Sequence, residues 1–182
     1  MTTEVGFLTT DQKITKTFMS VVEQQTGLVI TPETPRYEIR KAITLFQSLM
    51  EQAIAKGNVE DETSYYVLKH HFADGIYARE MHIPKGHIIV GRIHRFENLN
   101  FISKGKVTVV TEEGGIEVLE AGVMMKSPIG VKRLLITHED TVWTVLHNTK
   151  ETDVDLIEEE VIVKTYAQLG WDDPLLIENK GV

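Results

Sequence analysis

The 182-residue chain contains no cysteine, which excludes disulfide bonds, thiolate metal ligands and thiol nucleophiles. It also lacks any uninterrupted run of about eighteen apolar residues, and no basic stretch followed by an apolar core opens it. We therefore expect no membrane span, no signal peptide and a cytoplasmic location. Basic residues are fewer than acidic ones: the chain has 19 Lys and Arg, 27 Asp and Glu, and a formal net charge of -8. Phosphate backbones and anionic lipids repel such a chain, so we expect no general nucleic-acid or membrane partner.

Common catalytic motifs are missing as well. The sequence has no G-x-S-x-G elbow, no phosphate-binding glycine loop and no H-E-x-x-H helix. Glu112 and Glu113 form an acidic pair, but they precede a predicted hairpin turn, where solvated carboxylates are common. None of these patterns therefore predicts an enzyme.

The first third of the sequence is typical of helices. After Thr10, a predicted N-cap, apolar residues recur at helical spacing until Gly27. A second helix is predicted to open at Thr34-Pro35, as cap and first-turn proline, and to end at Gly57. Its apolar stripe comprises Ile39, Ala42, Ile43, Phe46, Leu49, Met50, Ala53 and Ile54. This stripe needs a cover, either the rest of the molecule or another subunit.

From about Ser64 the apolar period changes to two, which indicates an antiparallel all-β unit. The Gly114-Gly115 pair between two β-rich runs predicts a hairpin. Strands are predicted near 64–71, 75–83, 87–94, 98–103, 106–112, 116–119, 123–127, 132–137 and 141–147. Strands without intervening helices favour a jelly roll or barrel, because closing the sheet removes exposed edges.

An acidic helix is predicted after the strands, from Asp153 to Ala167, with Gly170 as its end. Its predicted buried residues include Leu156, Val161 and Tyr166, whereas its 158–160 glutamate run is interpreted as a solvated face. The sequence thus predicts three segments: a helical one at 1–62, a barrel at 63–150, and a C-terminal helix and tail at 151–182.

Spaced glycines and a proline between 86 and 137 resemble the two motifs of the cupin superfamily. The first motif, G-x5-H-x-H-x3,4-E-x6-G, has its glycines at Gly86 and Gly105. The second, G-x5-P-x-G-x2-H-x3-N, has Gly122, Pro128 and Gly130 in register. The resemblance implies a mainly β fold, a cupin-type antiparallel jelly-roll barrel with N-terminal helices and a C-terminal helix. The chain also resembles short cupin-domain proteins of bacteriophages, which implies a host-cytoplasmic or virion location.

The resemblance also places four residues where metal-binding cupins have their ligands: Arg92, His94, Asn98 and Arg133. Of these, only His94 is a good transition-metal ligand, because a guanidinium is cationic and a neutral amide oxygen binds such ions poorly. We therefore expect no cofactor. The alternative is a divalent metal ion at an atypical site formed by His94 with Glu97.

Strand alternation puts Arg92 and His94 on one face, which the resemblance directs into the barrel, where Arg133 would join them. Buried guanidinium groups need anionic partners. Two sources remain open: an internal carboxylate, with Glu97, Glu80 and Glu120 as candidates, or a small anionic ligand. The predicted ligand-binding residues are Arg92, His94, Asn98, Arg133, Glu97 and Tyr77, and no residue is predicted to be catalytic.

Three functions follow as hypotheses. The first, which we favour, is a non-catalytic cupin that binds a small anionic molecule inside its barrel. The second is a structural or assembly component, such as a phage virion protein. The third is a metal-dependent cupin enzyme, an oxygenase or isomerase with an altered site. Whether the protein is an enzyme therefore stays open, and a non-catalytic protein is favoured. Separately, we expect a homo-oligomer.

Overall fold

The structure is a computed structural model that describes residues 16, 19–21, 23–24, 27, 29–31, 33–58, 60–61 and 63–172. Most of the first predicted helix, between Thr10 and Gly27, therefore lies outside the described residues. Two helices are α1 (Arg36–Ala55) and α2 (Val154–Val161). The strands are β1 (Val67–Ala73), β2 (Ile76–Ile83), β3 (Ile88–Val90), β4 (Ile93–His94), β5 (Asn98–Lys104), β6 (Lys106–Thr111), β7 (Gly115–Glu120), β8 (Met124–Ser127), β9 (Arg133–Thr137), β10 (Thr141–Asn148) and β11 (Ile162–Val163). None of the helices in these ranges has the length and apolarity needed to cross a bilayer.

The predicted strand regions all hold strands, with ends that differ by a few residues. The predicted run at 87–94 is split into β3 and β4 at Gly91 and Arg92. Here the Gly91 N–H donates to the Arg133 carbonyl at 2.8 Å, after which the chain leaves β9 and pairs through β4 with β11. The predicted Gly114-Gly115 hairpin is confirmed, since β6 and β7 pair from Thr111 opposite Gly115, and Gly115 has a φ of 70°.

The strands form two facing antiparallel sheets and a short two-stranded ladder. The five-stranded sheet has the order β1-β2-β10-β5-β8, the four-stranded sheet the order β3-β9-β6-β7, and β11 pairs with β4. Apolar side chains from both sheets meet between them and form a core of Ile83, Ile102, Val107, Val109, Leu135 and Trp143. The expected mainly β, cupin-type jelly roll is thus confirmed, as two facing sheets rather than one continuously hydrogen-bonded barrel.

Helix α1 covers the outer face of the four-stranded sheet. Its Ile39, Ala42, Ile43 and Phe46 pack in one cluster with Val110, Leu134 and Ile136, which alternate with the inward-facing Val109 and Leu135. Each Ile, Val, Leu or Phe side chain stabilises the fold by about 1.5–3 kcal/mol when it is fully buried. The N-terminal half of the apolar stripe of α1 is therefore covered by the molecule itself, whereas Leu49, Ala53 and Ile54 are only partly buried. The boundaries proposed for the three segments stay a prediction.

The ends of α1 differ in how well the sequence predicts them. Thr34 is not the N-cap: the helix follows Pro35, which has no side-chain cap, and the Thr34 hydroxyl instead accepts from the Thr31 N–H at 2.8 Å. The predicted stop at Gly57 is confirmed. Gly57 has a φ of 71°, and its N–H donates to the Ile54 carbonyl at 2.9 Å.

The predicted C-terminal helix is wrong in its second half. Helix α2 ends at Val161, after which the chain forms β11 and a 3-10 helix at Tyr166–Leu169, and Gly170 then ends that turn with a φ of 74°. Val161 and Tyr166 are buried as predicted, whereas Leu156 is 51% exposed and Ile157 takes its place in the interior. The pairing of β11 with β4 overrides the local helical preference.

The four glycines that define the two motifs all occupy turns that require glycine. Gly86, Gly105, Gly122 and Gly130 have φ values of 85°, 91°, 95° and 75°. These are left-handed conformations that side chains with a Cβ rarely adopt. The motif register seen in the sequence therefore corresponds to real turns between strands, as the cupin-type fold requires.

Candidate ligand-binding cavity

A cavity of about 360 Å³ opens between the two sheets, with α2 on one side. Its lining follows the alternation of the strands, because every second residue of a strand faces the same side. The main contributors are Tyr77, Arg79 and Met81 of β2, Arg133 and Leu135 of β9, Trp143, Val145 and His147 of β10, and Ile157, Glu158 and Val161 of α2. Arg92, His94 and Asn100 complete the polar part of the wall.

A column of rings forms one wall of the cavity. The His94 and His147 rings are stacked with centroids 5.1 Å apart, and His147 stacks on Tyr77 at 6.2 Å. The Tyr77 hydroxyl lies 2.7 Å from Nδ1 of His70. Tyr77 is 2% exposed, and this burial raises the pKa of its hydroxyl. This column of rings, with the adjoining apolar lining, suits an apolar or aromatic group in the cavity.

Three arginines, Arg79, Arg92 and Arg133, reach the cavity together with one carboxylate. Glu158 bridges two of them, its Oε1 lying 3.4 Å from Nη1 of Arg79 and its Oε2 accepting from Nη1 of Arg92. The Nε of Arg79 is buried and has no hydrogen-bond partner among the described residues. Glu158 is the one carboxylate among the described lining residues, and Glu113, which lies outside the lining, adds a negative charge that acts on Arg133.

Arg133 differs from the other two arginines because it forms no ion pair with a carboxylate within the described ranges. Its Nη1 donates to Ser127 Oγ at 2.8 Å, and its buried Nε has no hydrogen-bond partner there. Burial lowers the pKa of Arg133, but a guanidinium remains protonated at neutral pH. The cavity therefore contains an incompletely satisfied cation.

His94 is neutral at physiological pH. Burial, followed by electrostatic effects of His147 and Arg133, lowers its pKa to about 3. Its Nδ1 is buried without a hydrogen-bond partner among the described residues. Burial, with a smaller effect of Arg79, also lowers the pKa of His147. Both rings thus present neutral edges to a ligand.

The internal carboxylates predicted for the arginines are all engaged elsewhere. Glu97 accepts from Lys126 at 2.8 Å, Glu120 pairs with Lys106 at 2.9 Å, and Glu80 lies 2.6 Å from His82 Nε2 on the outer face of the sheet. The actual partner is Glu158, which the sequence analysis placed on a solvated face. Its place on the helix, between the buried Ile157 and Val161, is a signal that could have identified it.

Two of the predicted site residues lie outside the cavity. Glu97 is exposed, lies in the loop before β5 and pairs with Lys126. Asn98 is buried, but its Nδ2 donates to the Phe96 carbonyl and its Oδ1 accepts from Asn100. Asn100, two residues further on the same face, reaches the cavity instead, and its Oδ1 accepts from Trp143 Nε1 at 2.9 Å. The structure thus brings together Arg92, His94, Arg133 and Tyr77 of the predicted set.

The residues present do not fit a divalent metal ion. Three guanidinium groups surround the one histidine, His94, that occupies a ligand position of the family motif, and the Asn98 amide is engaged within its own strand. Within the described ranges no group of three or more His, Asp or Glu side chains is arranged to hold a metal ion. Glu97, the alternative partner of His94, is bound to Lys126.

No protein-family profile and no curated protein matches this sequence. Solved structures are similar over about half of the chain. KdgF from Halomonas sp. has 17% identity and a TM-score of 0.43 over 53% of this chain and 88% of its own. An RmlC-like cupin family protein with a double-stranded β-helix fold, from Methanocaldococcus jannaschii, has 16% identity and a TM-score of 0.40, covering 50% and 84%. A protein from Neisseria meningitidis has 13% identity and a TM-score of 0.40, covering 54% and 94%. The cupin-type fold described above rests on the strand order and the motif glycines, not on these similarities.

Proposed function

We propose that this protein is a non-catalytic cupin-type protein that binds a small anionic molecule in the cavity between its two sheets. The ligand carries its negative charge towards Arg133 and lays an apolar body against the rings of Tyr77, His147 and Trp143. The cavity volume lies at the lower end of the range for small-molecule sites, which is about 300–1,000 Å³.

The observation that carries this proposal is that the hydrogen-bonding groups of Arg133 are incompletely satisfied. A buried charge without a partner is costly, and a guanidinium group forms its strongest hydrogen bonds with carboxylate or phosphate oxygens. Among the described residues, Arg133 has the neutral Ser127 hydroxyl as its hydrogen-bond partner and forms no ion pair with a carboxylate, and its Nε is unsatisfied. An anionic ligand would satisfy both the charge and this donor.

Binding rather than catalysis is favoured by the chemistry of the same residues. An effective general base has a pKa near the working pH, whereas the pKa of His94 is about 3. The donor set also does not fit a metal ion, which disfavours the hypothesis of an altered metal-dependent enzyme. The neutral His94 edge and the guanidinium of Arg133 instead suit recognition of a ligand.

Isothermal titration calorimetry with benzoate and with its neutral analogue benzamide tests the proposal. We expect benzoate to bind the wild-type protein and benzamide to bind at least about tenfold more weakly, since it lacks the charge. Arg133→Gln should weaken benzoate binding about tenfold or more, because it removes the unpaired cation. Lys69→Gln is the control, since Lys69 is 52% exposed and pairs with Glu80 on the outer face of the sheet, outside the cavity lining.

Two outcomes would contradict this function. One is an unchanged affinity for every bound anion in Arg133→Gln. The other is the absence of binding across a panel of aromatic and aliphatic carboxylates, phosphate esters and nucleotides, measured with the folded wild-type protein.

A further inference from the structure

Glu158 occupies the mouth of the cavity as an anion that belongs to the protein. It is the carboxylate that bridges Arg79 and Arg92, and its own side chain is 35% exposed. The neighbouring Ile157 and Val161 are 0% and 4% exposed and anchor α2 against the sheet. The helix therefore holds the Glu158 carboxylate at the two mouth arginines.

The three arginines are consequently not equivalent for a ligand. Arg79 and Arg92 each already have an Nη1 directed to Glu158. Arg133 forms no ion pair with a carboxylate in the described part of the chain, although the negative charge of Glu113 acts on it from a greater distance. A singly charged anion can neutralise Arg133 and leave the Arg79–Glu158–Arg92 group intact. A doubly charged anion must either displace Glu158 or lie close to its negative charge.

We propose that Glu158 sets the charge selectivity of the cavity, so that the ligand class is a singly charged carboxylate with an apolar body rather than a phosphate ester or dicarboxylate. This inference rests on the proposed function of the same cavity. It adds a residue that discriminates by repulsion, which is a common way for binding sites to reject related ligands.

The physical consequence is a simple relation between two ligands. Coulomb energy is proportional to the charge of the ligand. Removal of the Glu158 charge should therefore favour a dianion by twice the free energy that it gains for a monoanion at the same place. In terms of affinity, an f-fold gain for the monoanion corresponds to about an f²-fold gain for the dianion.

Calorimetry with benzoate and phenyl phosphate tests this relation at pH 8, where a phosphate monoester with a second pKa near 6 is a dianion. Wild-type protein should bind benzoate more tightly than phenyl phosphate. Glu158→Gln should raise the affinity for benzoate by about threefold and for phenyl phosphate by about tenfold. Glu159→Gln is the matched control: Glu159 is on the same helix, exposed, and makes none of the described ion pairs or hydrogen bonds. It should change neither affinity.

The outcomes separate this inference from the function on which it rests. Benzoate binding that depends on Arg133 but shows equal changes for both ligands in Glu158→Gln would overturn only the role of Glu158. Tighter binding of phenyl phosphate than of benzoate by the wild-type protein would also overturn it, and this comparison needs no variant to fold. Failure of both ligands to bind the wild-type protein would overturn the proposed function as well.

Discussion

At the scale of one residue, the chemistry of His94 is decided by its surroundings rather than by its residue type. The sequence alone marks it as the one good transition-metal ligand among the four motif positions. In the structure it lies among Arg79, Arg92 and Arg133, and its Nδ1 has no hydrogen-bond partner in the described part of the chain. A depressed pKa then makes it a neutral, uncharged part of the cavity wall at physiological pH.

The pKa of His94 predicts how stability depends on pH. The folded pKa is about 3, below the ordinary value of 6.5, so between these values the unfolded chain binds a proton that the folded protein does not. The free energy of unfolding must therefore fall as the pH falls from about 6.5 towards 3. In His94→Gln this decrease should be smaller. Urea unfolding of both proteins from pH 7 to pH 4 measures the difference.

A nuclear magnetic resonance titration of the His94 ring is the direct check. We expect it to remain neutral down to at least about pH 4, and benzoate binding beside it should raise its pKa. A midpoint near that of a free imidazole would contradict the buried, cation-surrounded position of this ring.

Among the elements, α1 is tied to the rest of the molecule by two ion pairs of very different burial. Arg40 Nε donates to Glu112 Oε2 at 2.6 Å, and the side chains are 19% and 3% exposed. The Arg40 guanidinium also lies 4.9 Å from the ring centroid of Tyr166 and 4.7 Å from that of Trp171. One turn earlier, Arg36 pairs with Glu113 at 2.9 Å near the surface. The sequence analysis had treated both glutamates as solvated, which is wrong for Glu112.

The two ion pairs predict different losses of stability when their arginines are replaced. Arg40→Ala should lower the free energy of unfolding by about 3–5 kcal/mol, because it leaves the buried Glu112 carboxylate unpaired. Arg36→Ala should cost no more than about 1 kcal/mol, because its pair is exposed. Urea unfolding measures both, and equal effects of the two substitutions would contradict the burial of the Arg40–Glu112 pair.

Turns between strands give a second prediction at this scale. Gly105 and Gly122 both have positive φ values, but a Cβ on Gly105 would lie 2.6 Å from the Asp140 carbonyl oxygen, whereas Gly122 has no neighbour within 4 Å. Gly122→Ala should therefore cost about 1 kcal/mol from backbone strain alone. Gly105→Ala should cost at least about 2 kcal/mol more, because the backbone must also shift. Thermal unfolding of the two variants compares them, and similar melting temperatures would contradict the close approach.

At the scale of the whole molecule, the burial of α1 changes the argument for self-association. The homo-oligomer was predicted from the tendency of cupins to pair through edge strands and flanking segments, with the helical first third as the contact. In α1, Ile39, Ile43 and Phe46 are already covered by the molecule's own four-stranded sheet. These side chains do not need a partner to bury them, and the homo-oligomer stays a prediction. Light scattering over a wide concentration range tests it, and a monomer at every concentration would contradict both the oligomer and the assembly hypothesis.

The sequence by itself determined most of the strand framework. Residues that alternate with period two must face opposite sides of a sheet, and glycines at fixed spacing permit left-handed turns that other residues resist. For this reason the strand regions, the hairpin at Gly115 and the turns at Gly86, Gly105, Gly122 and Gly130 follow from local patterns. The loss of most metal-ligand residue types is likewise visible in the sequence.

Only the tertiary structure decided which charges meet. Glu158 is 66 positions from Arg92 in the sequence. Its place between the apolar Ile157 and Val161 indicates an inward helix face, but the local pattern does not show that this face meets Arg79 and Arg92. The strand β11 also depends on β4, a distant partner that a propensity argument does not include. Contacts between distant segments depend on how the sheets pack and on which face each element buries. The sequence therefore predicts the fold and the residue types of the site, whereas packing selects Arg133 as the arginine without a carboxylate.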